Sequence, residues 1–271
     1  MKRILPIFLC FLLFPLTSCS TPDPMTTPKL TVTFLSVGKA DCILLESGTH
    51  AAMIDTGKNK NGDDILSLLS EKGITTLDFL LLTHMDKDHI GGADTVLSGI
   101  SVKAVYAPDY AKDGKQYDQY LSALEASGLT PTIPKAPLSL PFGDCSLEIL
   151  PPEQDSYDQS NDYSILCTLT CGEVSFLFTG DAEDVRLSEY LSTDPSPCTI
   201  LKVPHHGNPC DTTKLFLTTV TPKAAVITDS DKDPADPDLL SLLQALKITT
   251  YETKSGPVTV QTDGHTYTIT Q

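Results

Sequence analysis

A chain of 271 residues with 40% hydrophobic side chains, and with no low-complexity tract or internal repeat, can bury one large core or two small ones. That excludes a disordered protein and a repeat solenoid. Its 35 acidic residues against 19 basic ones give a formal charge of −16, which repels polyanions at low salt and speaks against a general nucleic-acid-binding protein.

The chain opens like an export signal. Lys2 and Arg3 form a basic start, and Ile4 to Leu16 an apolar stretch too short to span a membrane comfortably. Leu16-Thr17-Ser18-Cys19 then resembles a bacterial lipobox. The expectation is a signal peptide over residues 1–18, cut before Cys19, with lipid carried by that cysteine; an ordinary cleavage site that happens to contain Cys is the plainer alternative. Residues 19–29, rich in Ser, Thr and Pro, read as a flexible tether, and 30–271 as the folded domain. The expected location is the outer face of a bacterial cell membrane, held by lipid, or the medium if secreted. Cleavage removes Lys2 and Arg3 and no acid, so 17 basic residues face 35 acidic ones and the charge becomes −18.

In chain order, strands come first: "LTVTFLSV" (30–37), "DCILLE" (41–46) and "HAAMID" (50–55), with Gly38, Gly48 and Gly57 at their turns. A helix follows over 62–73, then strands at "LDFLLLT" (77–83) and "VKAVYAP" (102–108), and a helix over 115–128. The second half repeats the rhythm, with strands near 144–150, 163–170 and 173–179, a helix over 182–191 and a strand at 198–204. A helix near 212–219, a strand at 223–228 and a helix over 236–247 precede short strands at 248–252, 257–261 and 265–270. Two β-rich halves with interspersed helices predict two sheets packed face to face with helices outside, an α/β class. Of the cysteines, Cys42, Cys145, Cys167, Cys171, Cys198 and Cys210 remain beyond Cys10 and Cys19. Export permits disulfides, whereas settings such as "SILCTLTC" suit buried free thiols equally well, and without a CxxC pair a cysteine zinc site is not expected.

The segment "THMDKDHIGG" (83–92) ends an apolar strand in four potential metal ligands, His84, Asp86, Asp88 and His89. Imidazole and carboxylate supply nitrogen and oxygen donors for divalent transition ions, and a tight loop turns alternate side chains toward one point. Gly91 and Gly92 let the backbone pass close to such a cluster. A solvated loop capping a helix would need Asp88 alone, not two of the chain's six histidines.

"HMDKDHIGG" resembles the HxHxDH signature of the metallo-β-lactamase superfamily, in the HxDxDH form of the hydrolase domain of ComEC-type competence proteins. The resemblance extends through "FLSVGKADCILLESG", the Asp-Thr-Gly turn, "SNDYSILCTLTCGEVSFLFTGDAE" and "LKVPHHGN". It implies an αββα four-layer sandwich with a metal site at one edge of the sheets, holding two divalent ions, zinc or manganese.

Carried over residue by residue, the resemblance assigns His84 and Asp86 to one ion, Asp88 and His89 to the other, Asp181 to a bridge and His205 to the completion of the second site. His206 would orient substrate or move protons, and Asp55 and Ser164 would hold ligands in place. The chain departs from the family where a third histidine is common: Asn161-Asp162-Tyr163-Ser164 stands there, so Asn161 would offer a weak carbonyl ligand or leave the place to water. With Asp86 in place of an imidazole, the first position is oxygen-rich and suits harder ions such as Mn²⁺. Asp236, where related chains often have Gly-His-Pro, reads as a helix cap.

Two close ions would lower the pKa of a shared water, and Asp88, Lys202 and His206 would take part in the chemistry, with Lys202 contacting a phosphate. Lys58, Lys60 and Lys87 fall on loops expected at the same edge and would favour an anionic substrate. The leading expectation is an exported phosphodiester hydrolase, acting on nucleic acid or a smaller wall- or lipid-derived ester through metal-activated hydroxide. Alternatives are a hydrolase of lactones or β-lactams, and a binding lipoprotein with a degenerate metal site. No protein partner is evident.

Overall fold

A computed structural model describes residues 27–271 together with Met1. The expected signal peptide, Cys19 and most of the tether lie outside the described residues. Among the described residues, no helix is long and apolar enough to cross a membrane.

The first half builds strands β1 (Leu30–Phe34), β2 (Ile43–Ser47) and β3 (His50–Ile54), then helix α1 (Gly62–Glu71). Next come β4 (Thr76–Leu77), β5 (Phe79–Leu81), α2 (Ala93–Gly99), β6 (Ser101–Val102), β7 (Val105–Tyr106) and α3 (Lys115–Ser127). The second half runs β8 (Leu138–Phe142), β9 (Cys145–Leu150), β10 (Leu166–Cys171), β11 (Val174–Phe178), α4 (Asp184–Ser192) and β12 (Ile200–Lys202). It continues with α5 (Thr213–Val220), β13 (Ala224–Ile227), α6 (Pro237–Ala245), β14 (Thr249–Glu252), β15 (Val258–Thr262) and β16 (Tyr267–Thr270). One seven-stranded sheet has the order β16-β15-β1-β2-β3-β5-β7, and the other β14-β13-β12-β11-β10-β9-β8.

Side-chain parity sorts residues into layers. Successive residues of a strand point to opposite faces, so a strand apolar at every position buries both. On β2, Ile43 and Leu45 enter the core between the sheets, while Leu44 faces a second core with Ile65 and Leu69 of α1, Val96 of α2 and Leu124 of α3. On β12, Ile200 joins the central core and Leu201 a third, with Leu187 of α4, Phe216 of α5 and Leu239 of α6. Three cores between four layers make the expected αββα sandwich.

Three details depart from expectation. The strand expected over 77–83 divides at Asp78, whose carboxylate takes Lys103 Nζ at 2.6 Å and His50 Nδ1 at 2.6 Å, so that Leu77 pairs with Val102 apart from the main sheet. The strand expected over 102–108 divides accordingly into β6 and β7. Strand β8 was not among the expected strands; it lies at a sheet edge, where the missing N–H of Pro141 is tolerated. The cysteines Cys42, Cys145, Cys167, Cys171, Cys198 and Cys210 are free thiols, all but Cys210 buried.

The neighbouring strands β3, β5 and β7 run parallel, as do β11, β12, β13 and β14. Their carboxyl ends are where α/β sheets place ligands, because the loops leaving them converge there. Asp55 follows β3, His84 follows β5, Asp181 follows β11, His206 follows β12 and Thr228 follows β13.

Candidate metal centre

The loop between β5 and α2 carries His84 and His89 inward, both fully buried, with ring centroids 4.1 Å apart. Gly91 makes the loop possible: a Cβ there would lie 2.3 Å from Asn59 N and 2.4 Å from Lys87 O, so only glycine lets the two loops touch. That contact also brings Lys58 beside the 83–92 loop, while Lys60 and Lys87 stay exposed.

His205 and His206 both adopt left-handed backbone, with φ of 47° and 52°, and Gly207 follows at φ 86°. Non-glycine residues in this region are strained, and such strain persists where the surroundings hold it. Its effect is to send the two side chains apart. His206 is buried, with Nε2 3.1 Å from Asp181 Oδ2 and 3.7 Å from Asp88 Oδ2. His205 turns to the rim, a quarter exposed, where Nδ1 meets Glu183 Oε1 at 2.9 Å. The structure therefore brings His206, and not the expected His205, to the cluster.

Three groups of donors have atoms mutually within 4.8 Å: His84, His89 and Asp181; Asp88, His89 and His206; and Asp41, Asp55 and His89. Nε2 of His84, His89 and His206 and Oδ1 of Asp181 are buried without a hydrogen-bond partner. Orphaned polar atoms are costly in an interior, and three bare imidazole nitrogens set around the Asp181 carboxylate fit a divalent cation. Three imidazole nitrogens with carboxylates form a donor set suited to zinc or a harder transition ion.

The opposite ring nitrogens are fixed. His89 Nδ1 donates to Asp55 Oδ2 at 2.8 Å, and Asp55 also accepts from Thr83 N and Thr83 Oγ1. His206 Nδ1 donates to Thr228 Oγ1 at 2.9 Å, and Thr228 passes its own proton to Asp41 Oδ1 at 2.6 Å. Both arrangements place a proton on Nδ1 and aim Nε2 at the position where an ion would take the place of any proton there. Ser164 Oγ accepts from Asp181 N at 3.2 Å and anchors that turn.

Electrostatics follow the same geometry. Burial, with the charge of His89, lowers His84 to about 3, leaving a neutral imidazole. Burial also opposes charge on His89 and His206, but Asp181 with Asp55 raises the first, and Asp181 with Asp41 raises the second, above 6.5. Against its own burial, Asp181 is held well below 3.8 by His206, His89 and Lys202.

One further expectation is corrected. Lys202 is buried, its ammonium taken by Asp41 Oδ2 at 2.6 Å and Gly180 O at 2.8 Å, with Asp181 Oδ1 at 3.5 Å. It points into the protein and has no free donor direction toward a substrate. Asn161 turns its amide nitrogen to Glu183 Oε1 at 3.0 Å and to His205 Nε2 at 3.5 Å, on the His205 side of the rim. Asp86, 27% exposed, lies at the rim with Oδ1 3.8 Å from His84 Nε2 and paired to Lys112. Asp236 caps α6, accepting from Asp238 N at 2.8 Å.

Sequence reasoning missed Asp41, Thr228, Glu183 and Lys112. Asp41 carried a signal, since it is a carboxylate at the head of the wholly apolar run Cys42-Ile43-Leu44-Leu45. The other three are marked only by the contacts they make.

An αββα sandwich with a histidine–carboxylate cluster at its sheet edge defines a class of metal-dependent hydrolases. Residues 35–227 match the metallo-β-lactamase superfamily, and the chain belongs to it. It is 31% identical over 164 residues to ComE operon protein 3 of Bacillus subtilis, covering 60% of this chain and 21% of that protein. It is 27% identical over 235 residues to Recombination protein 2 of Haemophilus influenzae, covering 84% and 27%. Both are ComEC-type competence proteins, and the chain spans about a quarter of their length. Among solved structures, the metallo-β-lactamase fold protein YhfI of Bacillus subtilis superposes with a TM-score of 0.59 at 13% identity, covering 84% of this chain and 98% of that one.

Proposed function

We propose that the chain is an exported, lipid-anchored hydrolase of phosphodiesters that works with two divalent ions, zinc or manganese. The observation that carries this reading is the gathering of three orphaned imidazole nitrogens around the Asp181 carboxylate, beneath a rim that holds Lys87 and Lys112. His84, Asp86 and Asp181 would hold one ion, and Asp88, His89, His206 and Asp181 the other. When bound, the ions would polarise a phosphoryl oxygen and acidify a water molecule. The chain's own residues do the rest. Asp55 and the Thr228–Asp41 relay fix the two imidazoles, and His205, held by Glu183, stands at the rim within reach of a bound substrate. Burial keeps His205 below 6.5, against Asp181 and Glu183, so it is neutral and able to accept a proton at physiological pH.

Beside Asp86 lies a cleft of about 270 Å³ lined by Met85, Lys87, Lys112, Gln116 and Tyr117. Asp86 and Asp113 line it too and Lys112 pairs with Asp86, so Lys87 is the cation it leaves to meet an anionic substrate. The relatives' names, a recombination protein and a competence-operon protein, favour nucleic acid, and the net charge favours short or single strands over long duplexes. Purified protein supplied with Mn²⁺ or Zn²⁺ should cleave bis-p-nitrophenyl phosphate and single-stranded DNA, lose both activities on chelation, and leave a chromogenic β-lactam intact. Cleavage of the β-lactam alone would move the assignment to lactam or lactone hydrolysis, and inactivity with every ion would favour a binding lipoprotein.

The membrane attachment rests on the Leu16–Cys19 motif. Cys19→Ala should release the protein into the medium or block its processing, measured by fractionation and intact mass. Unchanged membrane association would assign the anchor to another segment.

A further inference from the structure

The two ion positions are not equally prepared. His84 points a bare Nε2 at one, as His89 and His206 do at the position they share with Asp88, so the difference lies in the carboxylates. Asp86 at the other position is already engaged: Lys112 Nζ sits on its Oδ1, and also contacts Ser160 Oγ at 3.4 Å. Lys112 comes from the loop before α3, a different part of the chain from the 83–92 loop, and its side chain is 31% exposed. The cleft behind Asp86, lined by Asp113, Gly114, Gln116 and Tyr117, gives a long side chain room to withdraw. The segment Asn161-Asp162-Tyr163-Ser164 supplies no imidazole, and the Asn161 amide nitrogen is turned to Glu183.

We infer that Lys112 is a built-in competitor for the Asp86 position, so that this ion binds last and most weakly and is exchanged as the ammonium moves on and off the carboxylate. This rests on the metal-centre reading above. An ion arriving at His84 and Asp86 must displace Lys112, and on leaving it is replaced by a charge of the same sign, so the carboxylate is never unpaired. A partly exposed ion pair is weak enough to be broken in this way. A buried pair would shut the site permanently, because a buried carboxylate deprived of its partner is costly. Asp88 has no lysine partner among the described residues, which leaves the second position free of such competition.

The test is metal binding by the full chain, independent of turnover. Equilibrium dialysis and elemental analysis with Mn²⁺ and Zn²⁺ should give one ion retained through gel filtration and a second bound only in excess metal. Lys112→Met should tighten the second ion by about fivefold, the upper end expected for loss of a partly exposed pair, and leave the first unchanged. Lys112→Arg should keep the wild-type difference. Asp86→Asn should lose the second ion in both the wild-type and Lys112→Met backgrounds. Equal affinities for both ions in the wild type, or no change in Lys112→Met, would overturn the inference. Failure to bind any ion would overturn the metal centre itself, whereas normal two-step binding without hydrolysis would overturn only the proposed activity.

Discussion

His206→Ala should abolish tight metal binding, and His205→Ala should leave it in place. The pair is adjacent in sequence and identical in chemistry, so only geometry distinguishes them. His206 is buried with an unpartnered Nε2 beside Asp181 and Asp88, and its Nδ1 is fixed by Thr228. Loss of such a ligand should weaken the ion by more than the 10–100-fold, in order of magnitude, that follows loss of a group merely supporting one. Thr228→Val provides that comparison, because it removes the hydroxyl holding Nδ1 while keeping the ring; a loss of about 10–100-fold is expected. His205→Ala breaks only a rim contact with Glu183 and should lower turnover with little change in ion content. Competition with a chromogenic chelator measures all three. Metal loss in His205→Ala with retention in His206→Ala would reverse the assignment.

The same pair shows where the sequence stops being informative. A His-His dipeptide after a buried strand announces a ligand, but which ring turns inward depends on left-handed backbone at both residues, a conformation no side-chain pattern encodes. Residues sharing one loop, such as His84, Asp86, Asp88 and His89, are legible because their spacing is itself the signal. The layers are legible for a similar reason, since runs such as Phe79-Leu80-Leu81 are apolar on both faces and must be covered on both. Asp41 and Thr228 are illegible together: 187 positions separate them, and their bond exists only because the two sheets meet at that edge. Lys202 was misread because a lysine beside ligands looks like an anion contact until its burial is known.

Lys202→Met should destabilise the protein by about 3–5 kcal/mol, the usual cost of removing one partner from a buried ion pair. Asp41 is buried, and its carboxyl is nevertheless held below the usual range, chiefly by Lys202 and His206, against the cost of burial. Lys202 in turn is raised above 10.5 by Asp41 and Asp181 despite burial, so both groups are charged when the protein is folded. Methionine fills the space of the lysine stem but leaves Asp41 with Thr228 and His206 as its side-chain partners. Removing the orphaned charge as well, in Asp41→Asn with Lys202→Met, should recover much of the loss, because replacing both members of a buried pair costs less than breaking it. Urea denaturation of the two variants against the wild type measures this. If Lys202 has the structural role, activity of the surviving folded fraction should fall equally on phosphodiesters and on neutral esters. Wild-type stability in Lys202→Met, with a loss confined to phosphodiesters, would return the lysine to the substrate.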